Sequence, residues 1–234
     1  MPVHPCCTVS TRWRRAGKAR HNQQVPDSPT LATLRPTLDA EVPLHRRTIE
    51  LQVYARDEHF VVIGTLHDQR PWADGETAVR DLHRMELAIV VRRSDLVITD
   101  AAADMRSYPH AECTAIEPAF NDLVGLSVGR GYTRAVQDRF GRQRGCSHLE
   151  FLARSLGPVV IQAITSAVSQ RRQRGEPTEE AGSMSRQLLV NTCHVWAEDG
   201  PGLEKIELGW RPGDGGYPAP AVVEIRRQKA TPAE

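Results

Sequence analysis

The amino-acid sequence predicts an α+β fold, in which helices cover one face of an antiparallel sheet made of two or more hairpins. Two observations predict it. Between residues 49 and 99, four short apolar segments come in two pairs, and only a few polar residues separate the members of each pair. Parallel neighbours would need long crossovers, so these short turns favour antiparallel pairing. Helical periodicity then prevails from residue 117 to residue 170, and strands followed by helices are typical of the α+β class.

The first predicted hairpin shows the period of two that marks a strand with one buried face. Ile49, Leu51 and Val53 alternate with more polar neighbours, and the turn Arg56-Asp57-Glu58 leads to a second apolar run. The second hairpin turns at Arg93-Ser94-Asp95. The four predicted strands cover residues 49–54, 60–66, 85–91 and 96–99. One face of such a sheet must be covered by an apolar layer.

Helices that follow the strands are predicted to supply this layer, over residues 117–124, 133–140 and 147–170. The longest one places apolar residues at helical spacing along one wide stripe. Gly157-Pro158 inside it predicts a kink, because proline removes a backbone donor and collides with the preceding turn. Residues 188–196 form a further apolar segment that fits either a strand or the end of a helix.

The composition is that of a globular protein, with 40% hydrophobic and 25% charged residues. A formal net charge of +1 gives no overall field that would attract nucleic acid or a membrane. We therefore expect no specific nucleic-acid binding and no membrane association, and a small molecule is the ligand class left open. The start of the chain lacks the continuous apolar run of a signal peptide, which predicts a cytoplasmic protein with reduced cysteines.

The chain divides into three predicted parts. Residues 1–44 are rich in proline and basic residues, which predicts a disordered arm. Residues 45–200 form a single α+β domain. Residues 201–234 are predicted to be a mostly disordered tail, because proline and glycine dominate from Arg211 onward. The basic arm could contact RNA or a membrane surface, although a solvated tail is the simpler interpretation.

The sharpest local signal for chemistry is the segment Gly145-Cys146-Ser147-His148. Ser147 and Glu150 have the spacing of a capping box, which would begin the long helix at this point. Cys146 then lies at the positive end of the helix dipole, where a thiolate is stabilised as a nucleophile or metal ligand. His148 is near enough in sequence to reach the same point. Cys146 and His148 are therefore candidate catalytic residues.

Two further cysteines could join them if the fold brings all four side chains together. Cys113 precedes a predicted helix, and Cys193 lies in the last apolar segment. Three thiolates and one imidazole suit zinc or an iron–sulfur centre. The candidate metal ligands are thus Cys113, Cys146, His148 and Cys193. The sequence contains no CxxC pattern, so inert thiols that pack in the core are the competing interpretation.

A second candidate site involves the pair His67-Asp68 and His83. The pair ends one predicted strand, and His83 precedes the next. An imidazole beside a carboxylate can act as a general base, which makes His83 a third candidate catalytic residue. Histidines and acids at strand ends are also common as solvated loop residues, and both interpretations stay open.

Four segments carry a family resemblance: His45-Arg46-Arg47, Leu82-His83-Arg84-Met85, Asp122-Leu123-Val124-Gly125-Leu126 and Gly145-Cys146-Ser147-His148-Leu149. They resemble a bacterial family catalogued as domain of unknown function 2889. The resemblance covers about residues 45–200, and the last segment is its most specific part. It implies that a cysteine at the position of Cys113 and another near Cys193 belong to the family's pattern. It implies no reaction, because none is attached to the family, and a shared fold would not supply one.

Three functions stay open from the sequence. The first is an enzyme, a lyase or hydrolase of small-molecule catabolism, that uses a Cys146 thiolate or a bound metal while His148 or His83 moves protons. The second is a non-catalytic metal or iron–sulfur carrier. The third is a structural or partner-binding protein with inert core thiols. A pocket beside the start of the long helix that holds a titratable group would favour the first.

Overall fold

The computed structural model describes residues 41–129, 131–176, 188–211 and 217–230. From Val42 onward the chain forms one compact unit. Its strands lie side by side in chain order in one sheet, and every neighbouring pair is antiparallel. The strands are β1 (Arg46–Ala55), β2 (His59–Gln69), β3 (Asp81–Arg92) and β4 (Ile98–Ser107). The predicted antiparallel sheet of two hairpins is confirmed.

The last strand differs from its prediction in position and length. Leu96 has a positive φ of 59° and belongs to the turn, so β4 begins at Ile98 instead. It then continues to Ser107 through a segment of alanines and charged residues. That segment lacks strong apolar alternation, and its pairing with β3 holds it in the sheet.

Burial alternates along β2 and defines the inner face of the sheet. Phe60, Val62 and Leu66 are buried, and the residues between them are less so. Gly64 lies in the same row where the long helix approaches, since a Cβ atom there would lie 3.0 Å from Leu156 Cδ2. Asp68 is the last member of this inward row. The row therefore ends in a carboxylate at the margin of the core.

Helices follow the sheet. They are α1 (Tyr132–Phe140), α2 (Ser147–Gln173), α3 (Pro201–Glu207) and α4 (Val222–Ala230). The predicted helix over residues 117–124 is part of a longer 3₁₀ segment, Ala111–Leu123, which contains Pro118. Proline offers no backbone donor, which disfavours α-helical bonding there. Residues 188–196 contain helical turns, including the 3₁₀ turn His194–Trp196, and no strand.

The helix α2 supplies the apolar layer over the sheet. Leu149, Leu152 and Leu156 are fully buried on it, and burial of each leucine contributes about 1.5–3 kcal/mol. The helix continues through Gly157-Pro158 without interruption. By length and hydropathy α2 is also long and apolar enough to cross a membrane. Its buried stripe packs against the sheet, however, as the core helix of an α+β domain does. The predicted α+β class is confirmed.

Gly157 of α2 lies directly against Tyr132 of α1, and its replacement by alanine is expected to destabilise the fold. A Cβ atom there would lie 2.4 Å from Tyr132 Cδ1. The ring cannot easily retreat, because Tyr132 is buried and its hydroxyl donates to the Ala153 carbonyl at 2.9 Å. We expect Gly157→Ala to lower the free energy of unfolding by about 1–3 kcal/mol in urea titrations. The exposed Gln170→Ala on the same helix should change it by less than about 0.5 kcal/mol. Equal effects of the two changes would contradict the prediction.

Parts of the predicted tail are helical. α3 and α4 lie within residues 201–234, and Leu203 and Ile225 are buried. Gly200 and Pro201 mark the start of α3, so these residues act there as helix punctuation. Residues 1–40 of the predicted basic arm lie outside the described residues. The predicted division into arm, domain and tail stays a prediction.

Candidate thiol and histidine site

Asp68 is the centre of the candidate site. Its side chain is only 1% exposed, at the inward end of β2. A buried carboxylate must be paired with donors or cations, because burial of an unpaired charge is very unfavourable. Five nitrogen atoms from four side chains lie within 3.4 Å of its two oxygens. The four side chains come from β1, the residue before it, β3 and α2.

Arg47 and His45 approach Asp68 from the β1 side. Arg47 is directly opposite Asp68 in the β1–β2 register. It donates from Nε to Oδ1 at 2.7 Å and from Nη2 to Oδ2 at 2.6 Å. His45 Nε2 lies 3.1 Å from Oδ1. The two-pronged guanidinium contact is geometrically specific and fixes the orientation of the carboxylate.

His83 and His148 approach the Oδ2 atom of Asp68. His83 is opposite Asp68 in the β2–β3 register, beside a bulge, and its Nδ1 lies 3.2 Å from Oδ2. His148 lies in the first turn of α2, and its Nε2 is 3.4 Å from the same oxygen. The centroids of the two imidazole rings are 4.0 Å apart. Strand pairing thus positions His83, and the packing of α2 on the sheet positions His148.

Cys146 contacts the opposite edge of the His148 ring. It immediately precedes α2 and has an extended backbone, with φ −86° and ψ 128°. Residues two apart diverge within a helix, but this extended conformation lets the two side chains meet. Cys146 Sγ lies 3.8 Å from His148 Nδ1. A thiol, an imidazole and a carboxylate therefore form a continuous chain, Cys146–His148–Asp68.

The electrostatics of the site favour an ionised Asp68. Burial raises its pKa and is the largest single influence. The hydrogen bonds from Arg47 and His45, with the nearby charges of Arg47 and His148, outweigh burial and lower the pKa of Asp68 to about 2.

His148 is shifted toward its neutral form. Burial is the main cause that lowers its pKa, and the charges of His83 and Arg47 act in the same direction. The charge of Asp68 opposes these influences without cancelling them. At neutral pH the site therefore combines a carboxylate with an uncharged imidazole.

The structure brings together some of the predicted site residues. Within the described ranges, Asp68, His83 and His148 form a group whose ligand atoms all lie within 4.8 Å of one another. Cys146 adjoins this group through His148. The group is thus a carboxylate with two imidazoles, in contrast to the predicted set of three thiolates and one imidazole.

The other two predicted ligands lie outside that group. Cys113 is half-buried in the 3₁₀ segment Ala111–Leu123, which packs against β4. Cys193 is exposed, and it lines a cavity of about 1140 Å³ beside α1 and the middle of α2. None of Asp68, His83 and His148 lines this cavity. Both cysteines, like Cys146, are free thiols.

The predicted capping box is absent. The helix begins at Ser147, with Cys146 as the preceding residue, and no side chain caps it. Glu150 instead forms an ion pair with Arg154 at 2.8 Å. The S-x-x-E pattern correctly marks the helix start, while its side-chain bonds are replaced by a pair one turn further along the helix.

Sequence reasoning from patterns did not find the roles of Arg47 and His45. Both lie in a segment that carries the family resemblance, which was the one signal pointing to them. Their partner Asp68 lies 21 residues from Arg47 and 23 residues from His45 in the sequence. Only the register of β1 against β2 brings them together.

Comparison with known proteins confirms the family of the resemblance, over a shorter range than the expected residues 45–200 that leaves Cys193 outside it. The sequence model of the family described as Protein of unknown function (DUF2889) matches residues 45–162, half of the 234-residue chain. The matched range contains every residue of the site around Asp68. No curated protein and no solved structure matches the chain significantly. The chain belongs to the DUF2889 family of proteins of unknown function.

Proposed function

We propose that this protein is a thiol-dependent hydrolase that cleaves small carboxylic esters or thioesters. Cys146 is the nucleophile, His148 is the general base, and Asp68 positions His148. The observation that carries the proposal is the continuous chain from Sγ to Nδ1 at 3.8 Å and from Nε2 to Oδ2 at 3.4 Å. A nucleophile next to a base that a third group orients is the geometry of covalent catalysis, and these contacts are often long before substrate binds.

The orientation of His148 assigns each of its nitrogens a task. Asp68 is ionised and can only accept, so its 3.4 Å contact with Nε2 favours the neutral ring that carries its proton on Nε2. The lone pair of Nδ1 then faces Cys146 Sγ. The lowered pKa of His148 keeps this lone pair available at neutral pH. His148 is therefore set to accept the thiol proton.

The start of α2 supplies the electrostatic part of the proposed mechanism. Cys146 precedes a helix of 27 residues, and the first backbone amides of a helix have no partner within it. The earliest such bond here runs from the Glu150 amide to the Cys146 carbonyl at 2.8 Å. The amides of Ser147 and His148, the two residues after Cys146, therefore have no partner within the helix. Such amides stabilise a thiolate and the oxyanion of a tetrahedral intermediate.

The reaction proceeds in two acyl transfers. The thiol proton of Cys146 moves to His148 Nδ1 while sulfur attacks the carbonyl carbon, and the carbonyl oxygen becomes an oxyanion. The oxyanion collapses, the bond to the leaving group breaks, and His148 returns the proton to that group. A thioester on Cys146 remains. Water then loses a proton to His148 and attacks the thioester. The carbon–sulfur bond breaks, His148 returns the proton to the Cys146 sulfur, and a carboxylic acid is released.

Accessibility limits the substrate to small compounds. Cys146 is half-buried, and the His148 side chain is 20% exposed. Both residues are thus partly open to solvent and partly enclosed.

A burst experiment tests the proposal. Mixed with excess p-nitrophenyl acetate, the full chain should release p-nitrophenol in a rapid phase that approaches one equivalent of protein. Intact mass and peptide mapping should place one acetyl group on Cys146, because the thioester intermediate forms faster than it hydrolyses with this activated ester. Cys146→Ser should lose the burst.

Cys193→Ser is the matched control, since Cys193 is an exposed thiol outside the site. It should retain the burst. The assignment of Cys146 as the nucleophile would be refuted by a burst that survives Cys146→Ser. Acetylation of other cysteines at the same rate would refute it too. Circular dichroism of each variant checks that the fold is intact.

A further inference from the structure

We propose that Asp68, His83 and His148 bind a zinc ion that inhibits the thiol. The binding of the ion stands on its own geometry. Its inhibitory effect rests on the function proposed above, because it acts through His148.

Three side-chain nitrogens crowd around one oxygen of Asp68. Asp68 Oδ2 already accepts a hydrogen bond from Arg47 Nη2 at 2.6 Å. His83 Nδ1 and His148 Nε2 face the same oxygen at 3.2 and 3.4 Å. A carboxylate oxygen has about two lone pairs, so two imidazoles must share what remains after Arg47. A cation between these atoms would remove the competition, because Oδ2 and the two imidazole nitrogens could each donate a lone pair to it.

The spacing of the three atoms fits zinc. Zinc–nitrogen and zinc–oxygen bonds are about 2.0–2.1 Å, and a tetrahedral arrangement then separates ligand atoms by about 3.3 Å. Oδ2 lies 3.2 Å from one imidazole nitrogen and 3.4 Å from the other. One ligand atom from each of the three residues lies within 4.8 Å of the others, and the two ring centroids are 4.0 Å apart. Two of the three distances thus already match a face of the tetrahedron, and the two rings would adjust to complete it.

The surrounding contacts also match those of a metal site. Ligand side chains in proteins are usually held by outer partners that fix their orientation. Arg47 holds the carboxylate of Asp68 through two hydrogen bonds. Cys146 lies against Nδ1, the nitrogen of His148 that would face away from the ion. His83 takes no part in the Cys146–His148–Asp68 chain. As a zinc ligand it would have a function in the site.

Zinc and the proposed base compete for the same ring. A neutral imidazole has one proton, and zinc on Nε2 of His148 forces that proton onto Nδ1. Nδ1 then donates toward Cys146 and has no lone pair with which to accept the thiol proton. The ion also occupies the Oδ2 atom that would orient His148. Bound zinc therefore stops proton transfer from Cys146, and its removal restores it.

Zinc binding is tested by competition with a chromophoric chelator under reducing conditions. The full chain and Cys146→Ser should bind one ion at this site. His83→Asn should weaken that binding at least tenfold, an effect expected even for loss of an outer partner of a metal ligand, at about 10–100-fold. His67→Asn is the matched control, because His67 pairs with Asp81 and lies outside the group. Binding to His83→Asn that equals the wild type would overturn the site, and His83→Gln repeats the test if His83→Asn does not fold.

Inhibition is measured from the rate at which iodoacetamide alkylates Cys146. The rate without zinc is divided by the rate with one equivalent of zinc. We expect a ratio of at least ten in the wild type and near one in His83→Asn. Equal ratios in the two proteins would overturn the inhibitory role, as would zinc-activated ester hydrolysis by Cys146→Ser. If Cys146 is unreactive without zinc while Cys146→Ser still binds the ion, the proposed function fails and the metal site survives.

Discussion

Asp68→Asn is expected to lower the free energy of unfolding by about 2–3 kcal/mol, because a hydrogen bond to a charged group contributes about 1.5–3 kcal/mol. The change leaves Arg47 without its anionic partner and replaces a double acceptor by an amide that can accept at one atom only. His45 and His83 lose the charge that they face. Urea unfolding at neutral pH measures the effect.

Asp81→Asn is the control for this change. Asp81 also pairs with a histidine, His67 at 2.9 Å, but its side chain is 51% exposed. Exposed ion pairs contribute little, so the loss should stay below about 1 kcal/mol. A loss for Asp68→Asn no greater than that for Asp81→Asn would show that the cluster around Asp68 does not stabilise the fold.

The pH dependence of stability gives an independent measure of the same interaction. The pKa of Asp68 is about 2 in the folded protein, against 3.8 ordinarily. A carboxylate whose pKa is lowered by folding stabilises the protein above its unfolded pKa, and the contribution is lost as the pH falls through its folded pKa. Wild-type stability should therefore drop by about 2 kcal/mol from this group between pH 4 and pH 2, as about 1.4 kcal/mol accompanies each pKa unit. Asp68→Asn should lack this component.

Most of the sheet was predictable because its apolar residues alternate. The turns Arg56-Asp57-Glu58 and Arg93-Ser94-Asp95 separate runs that form paired strands, and burial alternates along β2 and β3. The row predicted to be buried in β1 is not, because Ile49 is exposed and Leu51 and Val53 are only half-buried. β4 was only partly predictable, since its second half contains alanines and charged residues that pairing with β3 holds in place. The 3₁₀ segment Ala111–Leu123 was predicted as a shorter helix because the pattern does not distinguish the two kinds of helix.

The site was predictable only where its residues are close in sequence. Cys146 and His148 lie two residues apart at a recognisable helix start, so both could be named. Asp68 and His83 could be named as strand-end residues, but the sequence did not show that they lie beside Cys146 and His148. Their meeting depends on the register that sets Arg47 opposite Asp68 and Asp68 opposite His83. A slip of one residue would turn each side chain to the other face, and composition does not fix such a register.

His148→Gln is expected to reduce the rate of Cys146 acylation about a hundred- to ten-thousandfold, the usual effect of losing a general base. Glutamine keeps a polar side chain at the start of α2 but has no basic nitrogen to accept the thiol proton. The rate constant of the rapid phase with p-nitrophenyl acetate, measured with a chelator present to exclude metal, reports this step directly. His67→Gln, on a histidine that pairs with Asp81, should leave it unchanged.

The same reaction separates the role of His148 from that of the residue that positions it. If Asp68 holds the ring proton on Nε2, nitrogen-15 NMR of the wild type should show that tautomer, and Asp68→Asn should shift His148 toward the Nδ1 form. The Nδ1 form donates toward Cys146 and cannot take its proton, so acylation should slow in Asp68→Asn although the base is still present. A variant with an unchanged tautomer and a slow reaction would point to a structural effect of Asp68 alone. His148→Gln acylated within tenfold of the wild type would show that the thiol of Cys146 does not depend on this base.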